Sequence, residues 1–263
     1  MSLEIENLTV QTTSGRAVVS NCTWSVKSGG RLGIIGESGS GKSMSALAII
    51  GLLPDGLSAT GSVRLDNEEI LGRSDKVLQE IRGNKIAMVF QEPLTALDPL
   101  MRVGKQIAEP LKAHGLRGKQ KINDKVTELL KLVAITDAQR VLRSYPWQLS
   151  GGQRQRIAIA MALANEPEVL IADEPTTALD VTVQAEILTL LEDIVRKTGL
   201  TLIFVSHDLP VVSLVCDEII VMQGGKIVET GLTQDIINSP KEPYTQSLIA
   251  AAREVSALPK GDA

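Results

Sequence analysis

The segment Gly36-Glu37-Ser38-Gly39-Ser40-Gly41-Lys42-Ser43 constrains this chain more than any other. It spaces a glycine, four residues and Gly-Lys-Ser between a short apolar run (30–35) that reads as a strand and a run (43–53) that reads as a helix stopped by Pro54. Glycines at 36, 39 and 41 let the backbone curl until consecutive amides face one anion, and the following helix adds its positive end. A triphosphate suits that field. Lys42 supplies a point charge to the β and γ phosphates, and the Ser43 hydroxyl can ligate Mg²⁺. An ordinary glycine-rich turn has no need of the Lys-Ser pair.

The rest of the chain fits a strand–loop–helix frame. Residues 2–10 alternate apolar and polar, as do 18–26, with Ser14-Gly15-Arg16 as a turn, which predicts a hairpin. Residues 61–65 and 85–91 read as further strands, and 103–165 as a helical lobe on the spacing of Leu111, Val126, Leu129, Leu130 and Val133. Alternation then resumes, with strands at 169–172, 201–206 and 218–222 and helices at 183–197 and 209–215, so the fold class is α/β with a parallel sheet and crossover helices. Residues 255–263 read as a frayed tail.

Bulk properties narrow the partners. The net charge of -4 gives no general basic footprint, so nucleic acid is not expected. Cys22 and Cys216 lie far apart, which fits neither a disulfide framework nor a cysteine-rich metal site. The longest apolar runs fall well short of the roughly 20 residues of a membrane span, and the N-terminus does not read as a secretory signal. Any membrane role must then come from docking.

Two more segments carry chemistry. Residues 169–174 (VLIADE) are an apolar strand ending in two carboxylates: Asp173 can hold Mg²⁺ through its water shell, and Glu174 can polarise a water in line with the γ phosphate. Leu149-Ser150-Gly151-Gly152-Gln153 precedes a helical run, so Ser150 can cap that helix while the two glycines let an anion approach its amides. Two phosphate-binding surfaces on different lobes of one chain cannot serve one nucleotide, which points to a dimer.

The run LSGGQRQRIAIAMALANEPEVLIADEPTTALD resembles the signature-to-Walker-B region of ABC transporter ATPases, and the likeness extends over nearly the whole chain. That resemblance implies a RecA-like P-loop NTPase core with an N-terminal antiparallel β subdomain and an inserted α-helical signature subdomain. It would be a single domain, with 1–91 and 165–263 as the ATP-binding core and 92–164 as the helical lobe. It also implies that Gln91 is the Q-loop glutamine that touches Mg²⁺ and senses a transmembrane partner. Ala178-Leu179-Asp180 would be the D-loop at a dimer interface, and His207 the switch histidine that contacts the γ phosphate and orients Glu174. Residues 92–101, apolar for a loop and pinned by two prolines, would line the groove that receives a short helix of the permease.

The phrases GESGSGKS, VFQEPLTALDP, SYPWQLSGGQRQRIAIAMAL and ADEPTTALD resemble the dipeptide, oligopeptide and nickel import ATPases of bacteria. The implied assembly is peripheral, on the cytoplasmic face of the inner membrane. Two permease subunits would be driven by two ATPase subunits, this chain with itself or a paralogue, in a head-to-tail sandwich around MgATP. An extracytoplasmic solute-binding protein would act indirectly. Peptide-carrying members usually continue past a segment like residues 243–248 into a longer cysteine-containing tail, so the shorter form here is more like the nickel or metal-chelate importers and no iron–sulfur cluster is expected. The loop that usually carries an adenine-stacking aromatic, residues 12–17, has none; Arg16 is the candidate to lie over the base, and GTP should compete with ATP more than at an aromatic-stacked site. The rival reading, a soluble ABC protein in translation or DNA repair, would usually carry two ATPase domains or a long coiled coil, whereas residues 1–263 read as one ATPase domain without an extended heptad run.

Overall fold

The computed structural model describes residues 2–91, 96–177 and 179–257. In chain order the first elements are β1 (Leu3–Thr12), β2 (Ala17–Val26), β3 (Arg31–Ile35), α1 (Lys42–Ile49), β4 (Leu57–Leu65) and β5 (Glu68–Glu69). Next come α2 (Asp75–Ile81), β6 (Ile86–Val89), α3 (Val103–Ala113), α4 (Lys119–Leu132), α5 (Ala138–Arg143), a 3₁₀ turn (Pro146–Gln148), α6 (Gly151–Ala162) and β7 (Val169–Asp173). The chain continues with α7 (Val181–Thr198), β8 (Thr201–Ser206), α8 (Leu209–Val215), β9 (Glu218–Gln223), β10 (Lys226–Leu232), α9 (Thr233–Asn238) and α10 (Pro243–Ala257). The described residues fall into two compact units, one within 2–72 and 203–257 and one within 73–202.

In the first unit β1 and β2 form the expected antiparallel hairpin, extended to the order β2-β1-β4-β5. Leu3, Ile5, Leu8 and Val10 of β1 are all buried although their spacing slips by one. The slip is taken up by Asn7 at φ 52°, where the register to β2 shifts between Ile5 and Leu8; this bulge returns the apolar side chains to one face. The parallel expectation is met by β3 and β9, paired from Leu32 with Glu218 to Ile35 with Val221, and β10 then turns back antiparallel on β9. Leu32, Ile34, Ile35, Ile219, Ile220 and Val221 are buried, the near-continuous apolar signature of a parallel strand covered on both faces.

Helix α1 stops at Ile49, short of the expected residue 53. Gly51 at φ 64° reverses the chain, and Leu52 N returns to Leu47 O at 2.9 Å, so the helix ends on a glycine-type cap before Pro54 acts. The C-terminal stretch contains β10 and α10, and α10 continues through Ala257, three residues into the segment expected to fray.

In the second unit β6 and β7 pair in parallel, from Ile86 with Val169 to Val89 with Ala172, and every residue of β7 is buried. The expected helical lobe consists of four helices, α3 to α6. Positive φ at Gly115 (91°), Gly118 (94°) and Ala134 (54°) breaks it, so α3 can fold back onto α4, α5 and α6 around Ile107, Leu111, Leu130, Val141 and Ile157. Both cysteines are free and buried.

Candidate phosphate loop and acidic site

The phosphate loop leaves the end of buried β3 and enters α1, as the sequence requires. Gly36 (φ 151°), Gly39 (79°) and Gly41 (101°) all take positive φ. At Gly36 a Cβ would stand 2.2 Å from Met222 O, so that site requires glycine for space as well as for conformation. Glu37, Ser38 and Gly39 are exposed at the crest, while Ser40 and Lys42 are buried. The Lys42 ammonium donates to Gly36 O at 2.7 Å and to Glu37 O at 2.9 Å, so two of the loop's carbonyls hold the cation in place. Ser43, half-buried in the first turn of α1, stands one residue beyond Lys42.

The same unit holds Arg16 and His207. Arg16 is exposed in the turn closed by Thr12 N to Arg16 O at 2.9 Å. His207 is exposed just past β8, fixed in the chain by its neighbour: Asp208 caps α8 by accepting Val211 N at 3.3 Å.

The remaining candidates lie in the second unit. Asp173 ends β7 with 5% exposure. Glu174 follows at φ 46°, an uncommon conformation for a non-glycine residue and one that concentrates at functional sites. Its Oε2 accepts from Gln91 Nε2 at 2.8 Å and from Thr177 Oγ1 at 2.9 Å. Residues 83 apart in sequence, Gln91 and Glu174, thus meet at the ends of neighbouring parallel strands. Thr177 escaped the sequence reading; its position three residues after the acid was the available signal.

Ser150 caps α6 as expected, and the cap is reciprocal: Gln153 N donates to Ser150 Oγ, and Ser150 N to Gln153 Oε1, both at 3.2 Å. Gly152 has a further role. A Cβ on Gly152 would lie 2.6 Å from Val183 Cγ1, so that glycine lets α6 approach the start of α7, while one on Gly151 would lie 3.2 Å from Leu179 Cδ2, a tight contact that a small shift of the leucine relieves. Asp180 caps α7 by accepting Val183 N at 3.0 Å, and Leu179 is half-buried, while Ala178 lies outside the described residues.

Of the apolar segment 92–101, residues 92–95 lie outside the described part. The described part divides: Leu97 is 3% exposed and Leu100 86%. Buried Gln106 ties it down, accepting Asp98 N at 2.9 Å and donating to Asp98 O at 2.9 Å and Met101 O at 2.7 Å.

Residues 19–177 match the family described as ABC transporter. The chain is 49% identical over 226 residues to a probable peptide ABC transporter ATP-binding protein of Sinorhizobium fredii, covering 85% of this chain and 68% of that protein. It is 48% identical over 238 residues to a dipeptide transport ATP-binding protein of Haemophilus influenzae, covering 90% of this chain and 72% of that one. A dimeric post-hydrolysis ATP-binding cassette bound to ADP and Pi superposes with a TM-score of 0.77 at 32% identity, covering 88% of this chain and 98% of that one.

Proposed function

The chain belongs to the ABC transporter family as an ATP-hydrolysing subunit, and from that premise we propose that residues 36–43 bind the triphosphate of ATP to drive peptide import through a permease. The observation that carries the reading is the hydrogen bond from Gln91 to Glu174. It joins the residue that leads into the apolar 92–101 segment, proposed to face the permease, to the acid proposed to activate water. A shift at one is therefore felt at the other.

The roles follow from the side chains. Lys42 neutralises phosphate charge, and the loop amides with the N-terminal end of α1 complete an anion cradle. Glu174 accepts a proton from the attacking water, with Gln91 and Thr177 fixing the carboxylate through its Oε2. His207 contacts the γ phosphate from the capped start of α8. Each proposed magnesium ligand is chemically suited to that ion: the buried Asp173 carboxylate, the Ser43 hydroxyl and the Gln91 amide oxygen are hard donors, and one carboxylate with substrate phosphates is the usual provision. Bound there, the ion would supply charge neutralisation of the phosphates. Ser150, Gly151, Gly152 and Gln153 would close over the nucleotide of a partner copy or paralogue, with 92–164 the helical lobe of one ABC domain.

No helix among the described residues is long and apolar enough to cross a membrane. We place the subunit at the cytoplasmic face of the inner membrane, docked on two permease subunits and served indirectly by a solute-binding protein. The relatives named above favour peptide as cargo over nickel or another metal chelate, and favour a transporter over a soluble ABC protein. The base would be held without an aromatic, with Arg16 beside it. The test is Lys42→Ala in the assembled transporter: MgATP hydrolysis and peptide uptake both fall at least tenfold, whereas wild-type hydrolysis would overturn the placement of the phosphate site.

A further inference from the structure

The C-terminal helix reaches the phosphate loop. Tyr244, in the first turn of α10, accepts the amide of Glu37 on its hydroxyl oxygen at 2.9 Å. The carbonyl of the same peptide unit, Gly36 O, accepts from Lys42 Nζ at 2.7 Å. All described peptides are trans, so the N–H and C=O of that planar unit point opposite ways. One peptide is therefore held at both edges, by a phenol on one side and an ammonium on the other. Gly36 has little room to let that plane rock, since even a Cβ would collide with Met222 O.

The near end of α10 is fixed in turn. Glu229 on β10 accepts the amides of Lys241 at 2.9 Å and Glu242 at 3.2 Å, just before the helix begins. This supplies the helix start with the acceptors it lacks and sets where Tyr244 projects.

We propose that Tyr244 is a positioning residue for nucleotide binding: through the 36–37 peptide it sets where the Lys42 ammonium is held. The inference rests on the reading of residues 36–43 as the phosphate site. The contact that Tyr244 makes is with the loop backbone. Its hydroxyl orients the peptide whose carbonyl anchors the lysine, so a residue 207 positions beyond the loop enters the affinity for nucleotide.

Tyr244→Phe keeps the half-buried ring and deletes only the acceptor. Titration of the full chain with the nonhydrolysable analogue MgAMP-PNP should show binding weakened about three- to tenfold, the scale of one modest hydrogen bond. A double-mutant cycle separates positioning from general loosening. In a Lys42→Ala background, titrated to millimolar analogue, Tyr244→Phe should change affinity less than about twofold, because no ammonium remains to be placed. A merely structural role would cost the same factor in both backgrounds, and that result overturns the inference. So does wild-type affinity of Tyr244→Phe beside weak binding by Lys42→Ala. If both single variants bind as tightly as wild type, the phosphate-site reading itself falls and the inference goes with it.

Discussion

Replacing Glu174 with glutamine removes a charge and almost no volume. The carboxylate Oε2 receives Gln91 Nε2 at 2.8 Å and Thr177 Oγ1 at 2.9 Å. An amide oxygen has lone pairs for both, so the side chain keeps its seat. Hydrogen bonds to an ionised acceptor are roughly twice as strong as neutral ones, which puts the stability loss at about 1 kcal/mol per bond and about 2 kcal/mol together. For a chain of this size that lowers the melting midpoint by roughly 4–8 °C. The chemical cost is larger. Without a usable proton acceptor, in-line attack slows by about 10²–10⁴-fold, equivalent to roughly 3–5 kcal/mol of barrier. Loss of one negative charge near the triphosphate meanwhile lessens repulsion, so the ATP-bound form should persist. The expected species is a dimer in MgATP, detected by size-exclusion chromatography with light scattering, that dissociates when nucleotide is removed. Phosphate release is then measured with permease and partner ATPase present. Wild-type turnover in that assembly would show that Glu174 is not the base.

Two further variants test packing and docking. Gly152→Ala places a methyl 2.6 Å from Val183 Cγ1 and should cost about 1–3 kcal/mol in urea denaturation; adding Val183→Ala should restore most of it, and a loss unaffected by the second change would refute the contact with Val183 as its cause. Charge at Leu97 and Leu100 should part company: Leu97→Glu buries an unpaired carboxylate and unfolds the second unit, while Leu100→Glu leaves folding and ATP binding intact and abolishes transport, as read by circular dichroism, nucleotide titration and uptake. Normal uptake by Leu100→Glu would remove this surface from the permease contact.

The chemistry legible in the sequence was the chemistry carried by contiguous residues. The loop glycines, the strand ending in Asp173 and Glu174, and the Ser150 cap each depend on neighbours within a few positions, where spacing dictates backbone geometry. What escaped depends on chain separation or on shape. Tyr244 meets Glu37 across 207 positions, and no period or motif announces such a pair. Thr177 lay inside a recognised phrase, but only the left-handed turn at Glu174 brings its hydroxyl back to the carboxylate. The role of Gly152 was half visible: the absence of a side chain is written in the sequence, whereas the neighbour that needs its absence, Val183, appears only when α6 meets α7. Helix ends behaved similarly, since Gly51 overruled the more conspicuous Pro54.

Three helices open immediately at candidate site positions, α6 from Ser150, α7 from Asp180 and α8 from Asp208 next to His207, each with the cap side chain bonded three residues ahead. A cap leaves no slack in the count of residues, because one added or removed position would rotate the following helix by about 100° about its axis. Gene-length variation is therefore barred at these junctions, whereas the exposed turn at Gly115 and Gly118, with no cap side chain at the start of α4, is free to lengthen. Descendants of this chain can diverge in size there while the registers of His207, Asp180 and Ser150 stay fixed.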